Sequence, residues 1–470
     1  MTLQTEQIHS RAVEELRARL RGALLRPGEE GYDEASAAWN LNAHQHPALV
    51  VVAEGADDVL AAVRFAREGE LGVGVMATGH GVGTPADDGV LINTSRMRGV
   101  RVDPESRTAR VEAGALWKDV IPKAQAHGLA GLAGSAPHVG VVGYTMGGGF
   151  GWLGRKYGLN SASATDADVV TAAGELLRAG ENGDLFWGLK GGGGNFGVVT
   201  SLEFRLYPVG KVYGGAVFYP VEKAPEVLSA YARWSTGLPD EMTTAVAFMN
   251  VPPLPHLPEP LRGRSFVVVK GCFCGERPKE GEELFRPVRE GPGKPVVDTF
   301  GEMPAAALDR ISKDPVDPLG IVQHAELLSD LSPKTIDALV EIAGSGSPLL
   351  SVEVRQLGGA LARAPEYLSP MGSGDAGYSL NAIGASFTPE MAERVKTHVA
   401  RLVEATRPFQ TGETFLNFME VDPAGDRVRA AYAPEDWERL VALKERRDPH
   451  NLFRFNRNIP PYSAASKGRT

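Results

Sequence analysis

The amino-acid sequence predicts an α+β fold in which helices and strands do not alternate regularly. The chain has 470 residues, which is long for one hydrophobic core, so we expect two domains or one interrupted domain. Residues 208–408 contain strand-like runs and long helix-like runs without a strand–helix–strand repeat. That pattern favours an antiparallel sheet covered on one side by helices.

The composition is that of an ordinary globular protein, with 43% hydrophobic and 23% charged residues. The net charge is −9, and acidic and basic residues are interspersed, which argues against nucleic-acid binding and against a basic membrane-surface patch. Residues 1–19 are charged and lack the apolar core of a signal peptide, and no run approaches the roughly 18 apolar residues of a membrane span. A cytoplasmic protein is the resulting expectation.

Hydrophobic periodicity predicts the elements of the N-terminal half. The predicted helices are residues 5–25, 32–39, 56–68, 114–127 and 184–190. The predicted strands are residues 47–53, 71–76, 89–93, 100–103, 108–113, 168–172, 174–177 and 198–206.

In the middle of the chain, the predicted strands are residues 211–220, 243–251, 265–274, 349–357 and 379–386. The predicted helices there are residues 221–236, 332–343 and 389–406. Residues 252–260 contain five prolines, which cannot donate to a ladder, so this segment is predicted to be a loop.

Residues 76–84 form a glycine-rich loop between two predicted strands and carry one histidine, His80. Glycine lets backbone amides approach a ligand closely, and successive N–H groups make a concave anion site suited to a pyrophosphate. The loop lacks the Lys-Ser/Thr of a Walker loop, and a strand rather than a helix follows it. From the loop alone, His80 is either a hydrogen-bonded structural residue or a reactive one.

Residues 134–158 form a second block, with nine glycines among large apolar and aromatic side chains. A flexible linker would lack those large side chains, so the block predicts backbone pressed against a large flat ligand. A third glycine run occupies residues 191–197, before a predicted strand.

The two cysteines of the chain, Cys272 and Cys274, share one face of a predicted strand. They offer too few ligands for a structural zinc site, so no metal is expected.

These three glycine motifs, in this order, together with the C-terminal segment 448–461, resemble the berberine-bridge-enzyme-like branch of the vanillyl-alcohol-oxidase and p-cresol methylhydroxylase flavoprotein superfamily. The similarity covers roughly residues 30–207 and 410–462. It implies an FAD-binding domain formed by residues 1–207 and 409–470, with an inserted substrate domain at 208–408. It also implies a covalent bond from His80 to the 8α-methyl group of the flavin.

The resemblance assigns a set of residues to the FAD site: Thr78, Gly79, His80, Gly81, Val82, Gly83, Ala136, Pro137, Val139, Gly140, Gly143, Tyr144, Gly147, Gly148, Gly151, Gly197, Val199, Asn456 and Asn458.

Several positions depart from the family pattern. Ala136 stands where many members have a second, cysteinyl attachment, so a single covalent link is implied. Met76 replaces an arginine that often precedes the histidine loop, and Phe150 and Phe415 replace two tyrosines of some sugar-oxidising relatives. Val139 matches a position where valine admits dioxygen in the family and leucine tends to block it, which favours an oxidase.

The predicted strand 349–357 places Glu353 and Arg355 on one face. Because the resemblance puts this strand beside the substrate, Glu353 is the predicted catalytic base, and burial is expected to raise its pKa. The alternative is a plain ion pair with Arg355. Tyr144 is a second catalytic candidate, although hydrogen bonding is an equal alternative for its hydroxyl.

The remaining predicted substrate contacts are Phe150, Arg355, Phe415 and Asn417, with Phe248 as a further aromatic wall. His138 is predicted to lie at the surface or behind the flavin-contacting residues.

The predicted function is an FAD-dependent oxidase with a mono-covalent histidyl flavin. It would oxidise a C–H bond next to a hydroxyl or amine of a hydrophobic or aromatic small molecule, with O2 as acceptor and no nucleic-acid or membrane partner. The alternatives are a flavin-dependent dehydrogenase, a non-redox cyclase or isomerase of secondary (natural-product) metabolism, and a non-catalytic FAD-binding protein.

Overall fold

The computed structural model describes residues 10–255, 257–363, 369–370, 374–419 and 425–465. Its strands form a four-stranded, a five-stranded and an eight-stranded sheet. Each sheet is built from a separate stretch of the chain, and helices pack between and around them. The predicted α+β fold is confirmed.

The four-stranded sheet is formed by the first stretch, in the order β1-β2-β4-β3. Strands β2, β4 and β3 run parallel, whereas β1 is antiparallel to β2. The loop that carries His80 therefore leaves the carboxyl end of a parallel strand. The elements are α1 (Ser10–Arg19), β1 (Ala23–Leu25), α2 (Tyr32–Ser36), β2 (Leu49–Val52), α3 (Ala56–Glu68), β3 (Val73–Met76) and β4 (Val90–Asn93).

The helix predicted over residues 5–25 is partly wrong. Residues 5–9 lie outside the described residues, the helix ends at Arg19, and β1 follows as a strand. The backbone amide of Gly22 donates to the buried Asp58 carboxylate at 3.1 Å, and a Cβ on Gly22 would lie 1.9 Å from the carbonyl oxygen of Val52. Pairing with β2 therefore outweighs the local preference for helix.

The five-stranded sheet is antiparallel, in the order β5-β6-β9-β7-β8. Trp117 and Phe204 are fully buried in the core beneath it. The elements of this stretch are β5 (Val100–Asp103), β6 (Thr108–Glu112), α4 (Trp117–Gln125), α5 (Val141–Met146), α6 (Gly154–Tyr157), α7 (Asn160–Ser163), β7 (Ala164–Val170), β8 (Leu176–Arg178), α8 (Gly183–Gly192) and β9 (Val198–Arg205).

The eight-stranded sheet is also antiparallel, in the order β13-β10-β12-β11-β16-β17-β15, with β14 paired to β10. Helices α9, α11 and α12 cover one face and close a separate core, as the sequence predicted. The elements are β10 (Lys211–Pro220), α9 (Ala224–Ser235), β11 (Met242–Asn250), β12 (Ser265–Phe273), α10 (Glu280–Glu290), β13 (Val297–Asp298), β14 (Gly301–Pro304), β15 (Ile321–Leu328), α11 (Pro333–Ala343), β16 (Leu349–Gln356), β17 (Tyr378–Ala385) and α12 (Pro389–Thr406).

Four elements of this stretch escaped sequence analysis: the short strands β13 and β14, strand β15 and helix α10. Edge strand β15 carries the hydrogen-bonded pair His324 and Glu326, at 2.7 Å, and these polar residues interrupt its hydrophobic alternation. Helix α10 has Pro287 in its interior, and few of its residues, among them Phe285 and Val288, are buried. In the sequence alone, polar residues within a short hydrophobic run and a proline within a charged run are both typical of loops.

The C-terminal segment returns to the N-terminal sheets. It contains α13 (Asp426–Arg429), α14 (Pro434–Arg447) and α15 (Tyr462–Ala465), which the sequence analysis did not identify. The buried Lys444 ammonium donates to the Asp448 carboxylate at 2.7 Å and to the carbonyl of Asn195 at 2.9 Å. Phe455 forms a parallel bridge with Gly74 of β3. None of the described helices is both long enough and apolar enough to cross a membrane.

Candidate active site

A cleft lies between the His80 loop, helix α5, the end of α8 and the C-terminal segment. We call it the glycine-lined cleft, because nine of the residues along it are glycines: Gly74, Gly81, Gly83, Gly143, Gly147, Gly192, Gly193, Gly194 and Gly197. A Cβ placed on Gly143 or Gly193 would meet nothing within 4 Å. Backbone amides are therefore accessible along the cleft, as a long ligand with phosphate groups requires.

Residues from both ends of the chain close this cleft. The Thr84 hydroxyl donates to the carbonyl of Asn456 at 2.7 Å, and Arg457 Nη1 donates to the carbonyl of Gly81 at 3.0 Å. Burial lowers the pKa of Arg457 to about 10, so its guanidinium keeps a positive charge at neutral pH. The side-chain carbonyl oxygen of Asn456 is buried without a partner among the described residues.

The His80 ring lies between two other rings. It stacks on Trp39 with centroids 4.3 Å apart and an interplanar angle of 16°, and it contacts His138 at 4.8 Å. His80 Nδ1 is 3.0 Å from the Thr78 hydroxyl, whereas Nε2 is buried without a partner among the described residues. Burial, aided by His138, lowers the pKa of His80 to about 3, so the imidazole is neutral with one nitrogen free.

Gly79 makes this packing possible. Its φ is +74°, and a Cβ at this position would lie 2.5 Å from Ala38 Cα. The Trp39 amide can therefore donate to the carbonyl of Thr78 at 2.9 Å. The Trp39 indole N–H donates to the carbonyl of Val316 at 3.0 Å, so the segment between β14 and β15 supports the tryptophan on which His80 stacks.

Of the residues predicted to bind the cofactor, eight line the cleft: Gly81, Val82, Gly83, Gly143, Gly147, Gly197, Val199 and Asn456. The others are not among the residues that line it: Thr78, Gly79, His80, Ala136, Pro137, Val139, Gly140, Tyr144, Gly148, Gly151 and Asn458. A Cβ on Gly140 would lie 3.4 Å from Ala77 Cβ, so residues 136–140 run next to the His80 loop.

Sequence reasoning missed Arg457 and the lining residues 192–195. The signal for the latter was present, because the run at 191–197 was recognised but only Gly197 was assigned to the cofactor. Arg457 stands between the two assigned asparagines, and nothing in the sequence indicated that its side chain reaches back to Gly81.

Part of the second glycine block serves packing within the protein. A Cβ on Gly151 would lie 1.9 Å from the carbonyl oxygen of Ala133. Asn417, predicted to face the substrate, instead fixes the backbone of this block. Its amide N–H donates to the carbonyl of Tyr144 at 2.9 Å, and its Oδ1 accepts from the amide of Gly149 at 2.8 Å.

Glu353 and Arg355 share the face of β16 that is not covered by helices. Glu353 accepts from Arg355 Nη2 at 2.7 Å and from Lys270 Nζ, on β12, at 3.0 Å. The prediction that Glu353 has a raised pKa is wrong. Burial does raise the pKa, but the charges of Arg355 and Lys270 outweigh burial and lower it to about 2.

The structure brings the predicted aromatic contacts to the same place. Phe150 and Phe415 are buried with ring centroids 5.8 Å apart. The Arg355 guanidinium lies over the rings of Phe150 and Trp152, at 5.2 and 4.3 Å. Phe248 does not join them, and its prediction as a cavity wall is wrong, because it pairs with Val352 on the helix-covered face.

Tyr144 and His138 also differ from the simplest expectations. The Tyr144 hydroxyl donates to the carbonyl of Leu132 at 3.0 Å, and burial raises its pKa, so it is a protonated phenol. His138 is 8% exposed and packs against His80. Of the two positions predicted for His138, the surface is therefore wrong, and a place behind the flavin-contacting residues stays a prediction.

Comparison with known proteins identifies two regions of the chain. Residues 47–180 match the family described as an FAD binding domain, and residues 414–460 match the family described as berberine and berberine like. The first match contains the His80 loop and the second glycine block, and the second contains the C-terminal residues that close the cleft.

Known proteins also match this chain over nearly its whole length. The chain is 29% identical over 459 residues to (R)-6-hydroxynicotine oxidase of Paenarthrobacter nicotinovorans, covering 94% of this chain and 97% of that protein. It is 27% identical over 454 residues to an FAD-linked oxidoreductase of Dictyostelium discoideum, covering 94% and 95%. The crystal structure of 6-hydroxy-D-nicotine oxidase from Arthrobacter nicotinovorans superimposes with a TM-score of 0.81 and 25% identity, covering 94% of this chain and 98% of that one.

Proposed function

Because the chain belongs to the berberine-bridge-enzyme-like FAD-linked oxidoreductases, we propose that it is an oxidase with FAD bound covalently through His80. It removes a hydride from a C–H bond next to a hydroxyl or amine of a hydrophobic or aromatic small molecule. When bound, FAD supplies hydride acceptance and reoxidation by dioxygen.

In this proposal, residues 1–207 and 409–470 form the FAD-binding domain, and residues 208–408 form the substrate domain. The accessible amides of the glycine-lined cleft and the Arg457 charge suit a pyrophosphate. The family matches at 47–180 and 414–460 lie on either side of the inserted eight-stranded sheet, which supports the division.

The observation that carries the covalent link is the state of His80. A neutral imidazole with one buried, unpartnered nitrogen can form a bond through that nitrogen without first breaking a hydrogen bond. Trp39 and Thr78 hold the ring in one orientation. Ala136 has no nucleophile, so the attachment is single.

Two side chains were candidates to accept the proton that accompanies hydride transfer. Tyr144 is protonated, and its hydrogen already bonds to the carbonyl of Leu132. Glu353 is ionised at neutral pH and lies on the face that turns away from the covering helices. Glu353 is therefore the proposed acceptor, weakened as a base by Lys270 and Arg355.

Dioxygen as the acceptor is supported by Val139 and by a relative that is named as an oxidase. Phe150 and Phe415, packed beside Arg355, favour an aromatic substrate over a free sugar.

The test of attachment is acid precipitation of the purified protein. The pellet should keep its yellow colour, and His80→Ala should release its FAD into the supernatant. His127→Ala, at an exposed position after α4, is the matched control and should keep the colour. Quantitative release of FAD from the wild-type protein would refute the covalent link.

Turnover is tested separately with panels of alcohols and amines. One peroxide is expected for each oxidised product. Product without peroxide would indicate a dehydrogenase, product at the oxidation level of the substrate would indicate a cyclase or isomerase, and no anaerobic bleaching by any donor would indicate a protein that only binds FAD.

A further inference from the structure

A group of charged residues on the open face of the eight-stranded sheet is not explained by the oxidation chemistry alone. We call Lys270, Glu353 and Arg355 the cationic cluster, because two cations share one carboxylate. Their side chains are 6%, 14% and 8% exposed. A buried charge without a counter-charge is costly unless it binds something of opposite sign.

Among the strand partners of these residues in the described part of the chain, no acid completes the cluster. On β11, Ala245 lies between Lys270 and Arg355, and Ala247 lies opposite Glu353. On β17, the partners of Arg355 and Glu353 are Ser379 and Asn381. Each of these neighbours is neutral, and Ala245 packs in the same buried cluster as Trp152.

Both cations also have N–H groups that make no hydrogen bond to the described residues. Among the described residues, Lys270 makes one hydrogen bond, to Glu353 Oε2. Arg355 makes two, both to Glu353 Oε1, through Nε and Nη2. An ammonium has three N–H groups and a guanidinium has five, so several donors remain for a ligand.

Buried aromatic rings adjoin these donors: Phe150, Trp152 and Phe415 are 3%, 1% and 2% exposed. The Arg355 guanidinium lies over Phe150 and Trp152, and Phe150 packs against Phe415. A ligand that satisfies both features has a flat ring with an anionic group attached to it.

We propose that the substrate is an aromatic carboxylate, whose carboxyl group is bound between Lys270 and Arg355. This inference builds on the proposed function, in which the same sheet face covers the reacting part of the substrate. Glu353 then separates and orients the two cations, and the bound carboxylate supplies the missing negative charge.

The test compares binding of benzoate and benzamide, which have nearly the same shape but differ in charge. Binding is followed by the change in visible flavin absorption and by the shift in melting temperature, neither of which requires turnover. The wild-type protein should prefer benzoate by about tenfold or more, since hydrogen bonds to charged groups are stronger than neutral ones.

Substitutions then assign the preference to the cluster. Lys270→Met should remove it, Lys270→Arg should keep it, and Glu353→Gln should increase it, because that change removes the competing carboxylate. Lys211→Met is the matched control, because Lys211 also lies on a strand of this sheet but pairs with Glu302 at an exposed site. This substitution should change neither the affinity for benzoate nor the affinity for benzamide.

Equal affinity of the wild-type protein for the two ligands, no binding of benzoate, or a benzoate preference that survives Lys270→Met would each overturn the proposal. If Lys270→Met does not fold, Glu353→Gln alone decides the test. An unchanged or weaker preference for benzoate in Glu353→Gln would then overturn the proposal. If benzoate binding depends on Lys270 but the protein oxidises no donor, the oxidase proposal is refuted and the proposed carboxylate site is not.

Discussion

At the scale of single residues, the site depends on how neighbours restrict two ionisable groups. His80 is desolvated between two rings and stays neutral. Glu353 is also shielded from water but has two cations within 3.0 Å, so it stays charged. Burial alone therefore does not determine either protonation state, and the partners of each group decide it.

The low pKa of His80 has a consequence for flavin attachment. With a pKa of about 3, the imidazole is unprotonated from about pH 5 upward, so covalent incorporation of FAD into apoprotein should not slow between about pH 8 and pH 5. An imidazole with an ordinary pKa would lose about thirtyfold of its neutral form over that range. Acid-insoluble flavin fluorescence, measured against time at each pH, separates the two cases.

Glu353→Gln keeps the shape of the side chain and removes its ability to accept a proton. Because the pKa of Glu353 is low, we expect flavin reduction by a good substrate to fall by about 10²-fold, the lower end of general-base effects. The melting temperature should fall too, since Lys270 and Arg355 lose their counter-charge. Anaerobic stopped-flow measures the rate, and a loss smaller than about tenfold, with the lowered melting temperature, would leave Glu353 only its role in the ion pairs.

At the scale of elements, the segment 136–140 connects the His80 loop to the core. The amide of Trp117 donates to the carbonyl of Val139 at 3.1 Å, and the amide of Val139 donates to the carbonyl of Ala136 at 3.3 Å. These bonds fix the backbone, so a larger side chain at position 139 must extend into the space beside the segment.

Val139→Leu adds one methylene group at that position. We expect slower reoxidation of the reduced protein by air, with anaerobic reduction by substrate nearly unchanged, because the added group obstructs dioxygen and not hydride transfer. Val100→Leu, at another partly buried valine against the same core, is the control. If Val139→Leu leaves reoxidation as fast as in the control, Val139 does not lie on the oxygen path.

At the scale of the whole molecule, Arg155 joins the second glycine block to the eight-stranded sheet. Its side chain donates to the carbonyl of Met242 at 2.7 Å and to Gln356 Oε1 at 3.1 Å, and it also reaches the carbonyls of Leu238 and Pro239. The residue is 5% exposed, so water cannot replace these bonds.

Arg155→Met should lower the free energy of unfolding by about 3 kcal/mol or more, because each buried acceptor left unpaired costs about 1–3 kcal/mol. Arg363→Met is the control, since its pair with Asp240 is largely exposed and is worth less than about 1 kcal/mol. Thermal unfolding compares the two variants. A similar loss in both would show that Arg155 does not hold the two parts together.

Much of this arrangement could be predicted from sequence because it depends on local patterns. Alternation placed Glu353 and Arg355 on one face of a strand, and glycine runs marked the cleft. Lys270 escaped prediction because its contact with Glu353 depends on the order β12-β11-β16, which brings together residues 83 positions apart. Phe248 was assigned to the wrong face because alternation separates the two sides of a strand without telling which side helices will cover.

The way both ends of the chain close the glycine-lined cleft has a consequence for biosynthesis. Thr84 bonds to the carbonyl of Asn456, so the loop that carries His80 acquires one wall only after residue 456 has left the ribosome. The nascent polypeptide therefore passes the synthesis of residues 85–455 without a complete place for the dinucleotide. Cofactor capture then follows the synthesis of this segment, and we expect a chain that is released before residue 450 to hold no FAD.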